Sequence, residues 1–225
     1  MAASVIAFDL DGTLVDTAPD LISTLNWILT QDGFAAMDPL IARPTIGFGA
    51  RAMIEQSLEL QGVDAERTEI DRMHKAFLVY YEAHIADESQ PFPGLEAALD
   101  ALTARGCTLA VCTNKGERLS RLLLDRLGLS PRFAAICGAD TFAQKKPDPR
   151  HLLGTVERAA GIATRAVMVG DSITDIKTAQ NAQIPVVAVD FGYTKIPVSD
   201  LGPDVVISHY DEMVEAVEKI APHVF

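Results

Sequence analysis

Asp9 and Asp11 lie two residues apart in the run Asp9-Leu10-Asp11-Gly12-Thr13-Leu14-Val15-Asp16, directly after the apolar stretch 4–8. A compact apolar run of that length predicts a central parallel strand. Open α/β sheets place their ligands at the carboxyl ends of such strands, and Gly12 lets the chain turn sharply there. An ordinary acidic turn accounts for Asp11-Gly12 but not for a second acid at the end of the strand. A second constellation, Gly170-Asp171-Ser172-Ile173-Thr174-Asp175, follows the apolar run 166–169. Alone, Asp171 or Ser172 could simply cap the next helix. Together, three carboxylates at one sheet edge repel one another unless a cation sits among them. Magnesium suits such a set: it is a hard ion that prefers carboxylate, phosphate and water oxygens.

Two further segments suit a phosphate. Thr113-Asn114-Lys115 follows the apolar run 107–112 and precedes a helical pattern. The Thr113 hydroxyl and the local amides can bind a phosphate oxygen. Lys145-Lys146-Pro147-Asp148-Pro149 follows a third run, 133–137, and a lysine there can offset the charge of aspartate and phosphate together. A helix cap and a solvated loop lysine are the plain alternatives for these two segments.

The elements that must hold these residues alternate. Strand-like runs at 4–8, 107–112, 133–137, 166–169, 186–189 and 205–207 are separated by helical patterns at 96–105, 117–127, 151–160 and 173–182. Gly106, Gly128 and Gly161 stand where helices stop. This order predicts an α/β fold with a parallel sheet covered by helices on both faces. Residues 17–87 differ: they read as helices at 18–31, 49–61 and 66–84, inserted after the first strand, and the β-α rhythm returns near Pro91-Phe92-Pro93-Gly94. The expected domains are therefore 1–16 with 88–225 as the core, and 17–87 as a small helical insertion.

The chain has 225 residues with 31 acidic against 19 basic, a net charge of −12. Phosphate backbones bind basic faces, so nucleic acid is an unsuitable partner. Cys107, Cys112 and Cys137 form no CxxC pair or zinc-ligand spacing and read as buried, reduced thiols of a cytoplasmic protein. The N-terminus lacks a basic region before its short apolar run and does not read as a signal peptide. No apolar run approaches the length of a membrane span. Monomer and homodimer both remain open.

The set Asp9-x-Asp11-Gly12-Thr13-Leu14-Val15-Asp16, Thr113-Asn114, Lys146-Pro147 and Gly170-Asp171-x-x-x-Asp175 resembles the haloacid dehalogenase superfamily in its phosphatase branch. All four motifs stand in family order. The inserted helices resemble the family's C1 cap, and the rest a Rossmann-like core. More narrowly, Thr45-Ile46-Gly47-Phe48-Gly49-Ala50, Cys112-Thr113-Asn114-Lys115, Lys146-Pro147-Asp148-Pro149 and Phe191-Gly192-Tyr193-Thr194 resemble the phosphoglycolate phosphatase group. The resemblance implies Asp9 as nucleophile and Asp11 as general acid and then base. It implies Mg²⁺ held by Asp9, the Asp11 carbonyl and Asp171, with Thr113 and Lys146 on the phosphoryl oxygens and Asn114 beside the substrate. Asp175 is expected to orient Lys146 or a metal-bound water, and Lys146 is preferred over Lys145 on the family's Lys-Pro pairing. Gly47-Phe48-Gly49, before a helix near Ala50, offers amides for a substrate carboxylate, or is a plain loop. The implied substrate is a small phosphate ester, 2-phosphoglycolate first. Sugar-phosphate phosphatases, mutases and pyrophosphatases share much of the pattern. A dehalogenase of this superfamily needs neither Asp11 nor Mg²⁺, and inactive binding proteins on the fold usually lose a carboxylate that is present here.

Overall fold

The computed structural model describes residues 2–225; Met1, which the expected segment 1–16 includes, lies outside the described residues. Two compact units emerge. One runs to Asp16 and resumes at Pro91 through Phe225; the other is Thr17–Gln90.

The first unit is built on six parallel strands: β1 (Ala3–Phe8), β2 (Cys107–Cys112), β3 (Ala135–Cys137), β4 (Gly161–Gly170), β5 (Val186–Val189) and β6 (Val205–Ile207). Their order is β3-β2-β1-β4-β5-β6. The chain grows outward on one side of β1 and then on the other, so β1 and β4 flank a topological switch point. Phe8 stands opposite Val111 on β2 and Val169 on β4. That register brings the ends of the three central strands level, and Asp9, Thr113 and Asp171 leave the sheet at the same edge.

The strands read as continuous apolar runs because both faces are covered. Side chains alternate between faces with period two. Val5, Ala7, Ala110, Cys112, Ala166, Met168, Val186 and Ala188 form one core with Leu152, Val156, Ile176 and Ala179 from helices Pro149–Arg158 and Ile173–Ala182. Ile6, Phe8, Leu109, Val111, Val167 and Val169 are equally buried on the other face. There Leu95–Ala104 packs along β2 and Met213–Ile220 along β6. All three cysteines are buried free thiols, and burial pushes the Cys112 thiol up to about 12.

Several expected boundaries move. β3 begins at Ala135 rather than 133, because Ser130–Arg132 forms a 3₁₀ turn just before it. β4 begins five residues ahead of the apolar run, at Gly161, which pairs with Ala3. A Cβ at Gly161 would meet the Val5 side chain at 2.3 Å, so the glycine that reads as a helix stop also permits close strand approach. The helix expected over 151–160 starts earlier, at Pro149, where Asp148 accepts from the Arg150 amide at 3.0 Å and proline occupies the first turn. Helix Met213–Ile220 answers to no sequence expectation.

The second unit holds helices Ala18–Gln31, Pro39–Ala42, Ala50–Leu60 and Arg67–Ala83. Its interior is made by Leu25, Leu29, Met53, Ile54, Leu58, Met73, Phe77 and Tyr81. It extends to Gln90, three residues past the expected edge at 87. The physical reason is Asp20, whose buried carboxylate accepts from the Glu88 and Ser89 amides and, at 2.6 Å, from the Ser89 hydroxyl. Among the described residues, no helix is long and apolar enough to cross a membrane.

Candidate active site

The loop after β1 turns back on itself at once. Gly12 N–H donates to the Val15 carbonyl at 2.9 Å, and Leu14 N–H to the Leu10 carbonyl at 3.0 Å. Gly12 adopts φ +84°, and a Cβ there would meet Asp171 Oδ2 at 2.7 Å. The turn therefore needs glycine twice over, for its backbone conformation and for the approach of Asp171. It also presents the Thr13 hydroxyl, which donates to Asp171 Oδ1 at 2.9 Å. On the other side the Tyr193 amide donates to Asp171 Oδ2 at 2.9 Å. Gly192 permits this second approach, since a Cβ there would fall 2.3 Å from Asp171 Oδ2. The Tyr193 hydroxyl reaches Asp16 Oδ1 at 2.7 Å, and Tyr210 holds the Thr13 carbonyl at 2.7 Å.

Asp175 is where the helix-capping and the functional readings meet. Ser172 and Asp175 form a capping box at the start of Ile173–Ala182. Asp175 Oδ2 accepts from the Ser172 hydroxyl at 2.6 Å, while Oδ1 accepts from Lys146 Nζ at 2.6 Å. Lys146 is 2% exposed and Lys145 is exposed, so burial selects Lys146 as the lysine of the site. Its Nζ also stands 2.9 Å from Asp9 Oδ1. That ion pair lacks the angle of a hydrogen bond, and the buried Asp9 oxygen has no hydrogen-bond partner.

Thr113 is buried after β2, with its amide on the Cys137 carbonyl and its hydroxyl oxygen accepting from the Lys115 amide at 3.2 Å. Asn114 donates from Nδ2 to the Lys146 carbonyl at 3.0 Å, which ties the β2 loop to the lysine loop. Lys115, named in the sequence only as part of its segment, donates from Nζ to Asp11 Oδ1 at 2.8 Å. Its side chain is only 7% exposed. The acid Asp11 is thus held by a cation that no spacing rule points to. In the sequence Gly192 and Tyr193 carry only a resemblance; the backbone donor that Tyr193 offers Asp171 appears on folding.

The expected anion loop lies in the second unit and is not a loop. Arg43–Phe48 forms a 3₁₀ helix, and Gly49, at φ +92°, is the N-cap of Ala50–Leu60. The Gly49 amide is taken by the Ile46 carbonyl at 2.9 Å.

Asp9, Asp171 and Asp175 offer carboxylate oxygens that all lie within 4.8 Å of one another. The Asp11 carboxylate is turned away to Lys115. Burial, then Asp175, push Asp9 up to about 6. Burial, then Asp175 and Asp9, push Asp171 up to about 8. Burial alone would lower Lys146, but Asp175 and Asp9 outweigh it and hold its ammonium well above the usual lysine range. Negative charge exceeds positive charge at this edge. The donor set fits a hard divalent cation: oxygen ligands only, closely spaced, with one buried carboxylate oxygen that takes no hydrogen bond. Asp9 and Asp171 are the residues placed to hold it. Asp175 instead ties Lys146 to the capping turn, one oxygen on the ammonium and the other on the Ser172 hydroxyl.

Residues 6–189 match the family of haloacid dehalogenase-like hydrolases. The phosphoglycolate phosphatase of Mesorhizobium japonicum is 49% identical over 221 residues, spanning 98% of this chain and 97% of that one. That of Agrobacterium fabrum is 48% identical over 210 residues, 93% and 90% of the two chains. Among solved structures, a predicted phosphoglycolate phosphatase from Haemophilus somnus superposes with a TM-score of 0.88 at 27% identity, covering 95% of this chain and 97% of that one. Site geometry, family match and relatives agree, and the chain belongs to the haloacid dehalogenase-like hydrolases.

Proposed function

We propose that this phosphatase is magnesium-dependent and hydrolyses a small carboxylated phosphate monoester, 2-phosphoglycolate first, through a phospho-aspartate on Asp9. The observation that carries the reading is the buried Asp9 oxygen without a hydrogen bond, facing Lys146 at the level end of the central strands. Relatives of nearly equal length that bear the name phosphoglycolate phosphatase support the substrate.

Asp9 attacks phosphorus, and the bond between phosphorus and the ester oxygen breaks. Asp11 gives its proton to the departing oxygen. Asp11 then takes a proton from water as that water attacks phosphorus, the bond to Asp9 breaks, and inorganic phosphate leaves. Lys146, 2.9 Å from Asp9, and Thr113, which leaves the sheet at the same edge, are the groups that can offset the charge spread over the transferring oxygens. Asp175 fixes Lys146 for this task and Thr13 and Tyr193 fix Asp171. Asp9 and Asp171, with the Asp11 carbonyl, would hold a magnesium ion, which when bound would supply positive charge for the approach of a carboxylate to a phosphate dianion.

The test is phosphate release over a panel of 2-phosphoglycolate, sugar phosphates, pyrophosphate and an aryl phosphate, with Mg²⁺ and with EDTA. Release confined to Mg²⁺ and highest kcat/KM on 2-phosphoglycolate are expected. Full rates in EDTA remove the metal from the reading. A sugar phosphate or pyrophosphate in first place removes the substrate and leaves the phosphatase standing.

A further inference from the structure

The two buried cations at this sheet edge have different partners. Lys146 is engaged by Asp175 and Asp9, the nucleophile side. Lys115 Nζ instead lies 2.8 Å from Asp11 Oδ1 and is nearly fully buried. A general acid works within about 3 Å of the oxygen it protonates. With Asp11 as the acid, the Lys115 ammonium would lie roughly 6–8 Å from the leaving-group oxygen, the Asp11 carboxyl spanning the interval. In a phosphorylated 2-hydroxy acid the carboxylate hangs one carbon beyond that oxygen. Its own oxygens reach to about a hydrogen-bond length from a cation so placed. An ammonium presents three donors, so a second carboxylate can share it with Asp11.

We infer that Lys115 is the specificity-determining residue that receives the carboxylate of the leaving group, so that preference for an acidic alcohol is built into the catalytic core by the segment Thr113-Asn114-Lys115. The inference rests on the phosphatase reading above and deepens it. The same segment then serves both ends of the substrate: Thr113 faces the phosphoryl group, and Lys115, two residues on, faces the leaving group. A buried lysine here also answers a charge problem. A trianionic ester entering a site with Asp9, Asp11, Asp171 and Asp175 needs positive charge at its far end as well as at phosphorus.

The experiment compares 2-phosphoglycolate with ethyl phosphate, which has the same chain length and no carboxylate, in wild type, Lys115→Met and Lys115→Arg. Wild type is expected to favour 2-phosphoglycolate. Lys115→Met should lower kcat/KM for it about 100-fold more than for ethyl phosphate, mainly through KM, the size a charge-assisted hydrogen bond carries. Lys115→Arg should recover part of that preference. Both substrates lose some rate because Asp11 loses its partner, so the ratio between them is the readout. A residue that only orients Asp11 would lower both equally, and that result overturns the inference while the phosphatase reading stands. A wild type without preference for the carboxylated ester overturns the substrate reading and the inference together. Circular dichroism and thermal melts verify folding, and Lys115→Gln replaces Lys115→Met if the thioether variant does not fold.

Discussion

Without metal, the protein should lose stability as pH rises from 5 to 8, and Asp171→Asn should abolish most of that loss. Asp171 titrates near 4 in the unfolded chain and is pushed up to about 8 in the fold, by burial first and then by Asp175 and Asp9. The folded state therefore holds a proton that the unfolded state has given up. Such a group contributes its full stability below the unfolded pKa and loses it as pH rises to the folded value. Between pH 5 and pH 8, three units at about 1.36 kcal/mol each give an upper figure of about 4 kcal/mol. Asp9, pushed up to about 6, draws on the same shortage of positive charge, so its share does not simply add. The asparagine variant carries no charge to lose. Its Oδ1 can keep the Tyr193 amide, and its NH₂ can donate to Thr13 Oγ1, since a hydroxyl accepts as well as donates. The assay is urea unfolding in EDTA at pH 5 and pH 8 for both proteins. The variant should keep nearly the same stability at both values, so that its margin over wild type widens by about 2–4 kcal/mol from pH 5 to pH 8. Added Mg²⁺ should restore wild type alone at pH 8, because binding to the folded state stabilises it by mass action. A wild type equally stable at both values in EDTA, or a variant that follows wild type across the range, would refute the argument that uncompensated charge at this edge strains the fold.

Two further outcomes follow from the same geometry. Asp9→Asn should fold normally and lose at least about 10³-fold in kcat, since an amide cannot attack phosphorus; substantial turnover by folded variant would reject Asp9 as nucleophile. Gly192→Ala should displace the Asp171 carboxylate, because the added Cβ falls 2.3 Å from it. A cost of about 1–3 kcal/mol in thermal or urea stability and roughly 10²-fold in kcat is expected, and wild-type values for both would show that the contact relaxes freely.

What the sequence displays is what local rules impose. The strands at 107–112, 186–189 and 205–207 show as apolar runs because parallel strands covered on both faces must be apolar throughout, and the structure places them there. Helices Ala18–Gln31 and Ile173–Ala182 are equally legible from periodicity and their stops. β4 is not, because its first half alternates between half-buried and exposed residues and owes its extension to pairing with β1. The 3₁₀ helix Arg43–Phe48, which takes in Gly47 and Phe48 of the expected anion loop, is hidden because a 3₁₀ turn this short leaves no periodicity and Pro44, Gly47 and Gly49 punctuate it.

The site divides along the same line. Asp9, Asp171, Thr113 and Lys146 stand out because each follows a strand-like run or directly precedes a proline, and parallel strands make those positions converge. Lys115 could not, because its partner Asp11 is 104 residues away and no periodicity relates them. Nor could the requirement for glycine at 192, which exists only because Asp171 arrives from another strand. Convergence at a sheet edge brings the acids together, and it leaves them short of positive charge. The residues that the sequence hides are those that manage this consequence: Thr13 and Tyr193 supply dipoles to Asp171, and Lys115 supplies a cation to Asp11. A carboxylate cluster visible in a sequence therefore implies unseen donors for every oxygen that neither metal nor substrate takes. Asp9, which lacks a hydrogen bond to Oδ1, is the place where that requirement is left to the reaction itself.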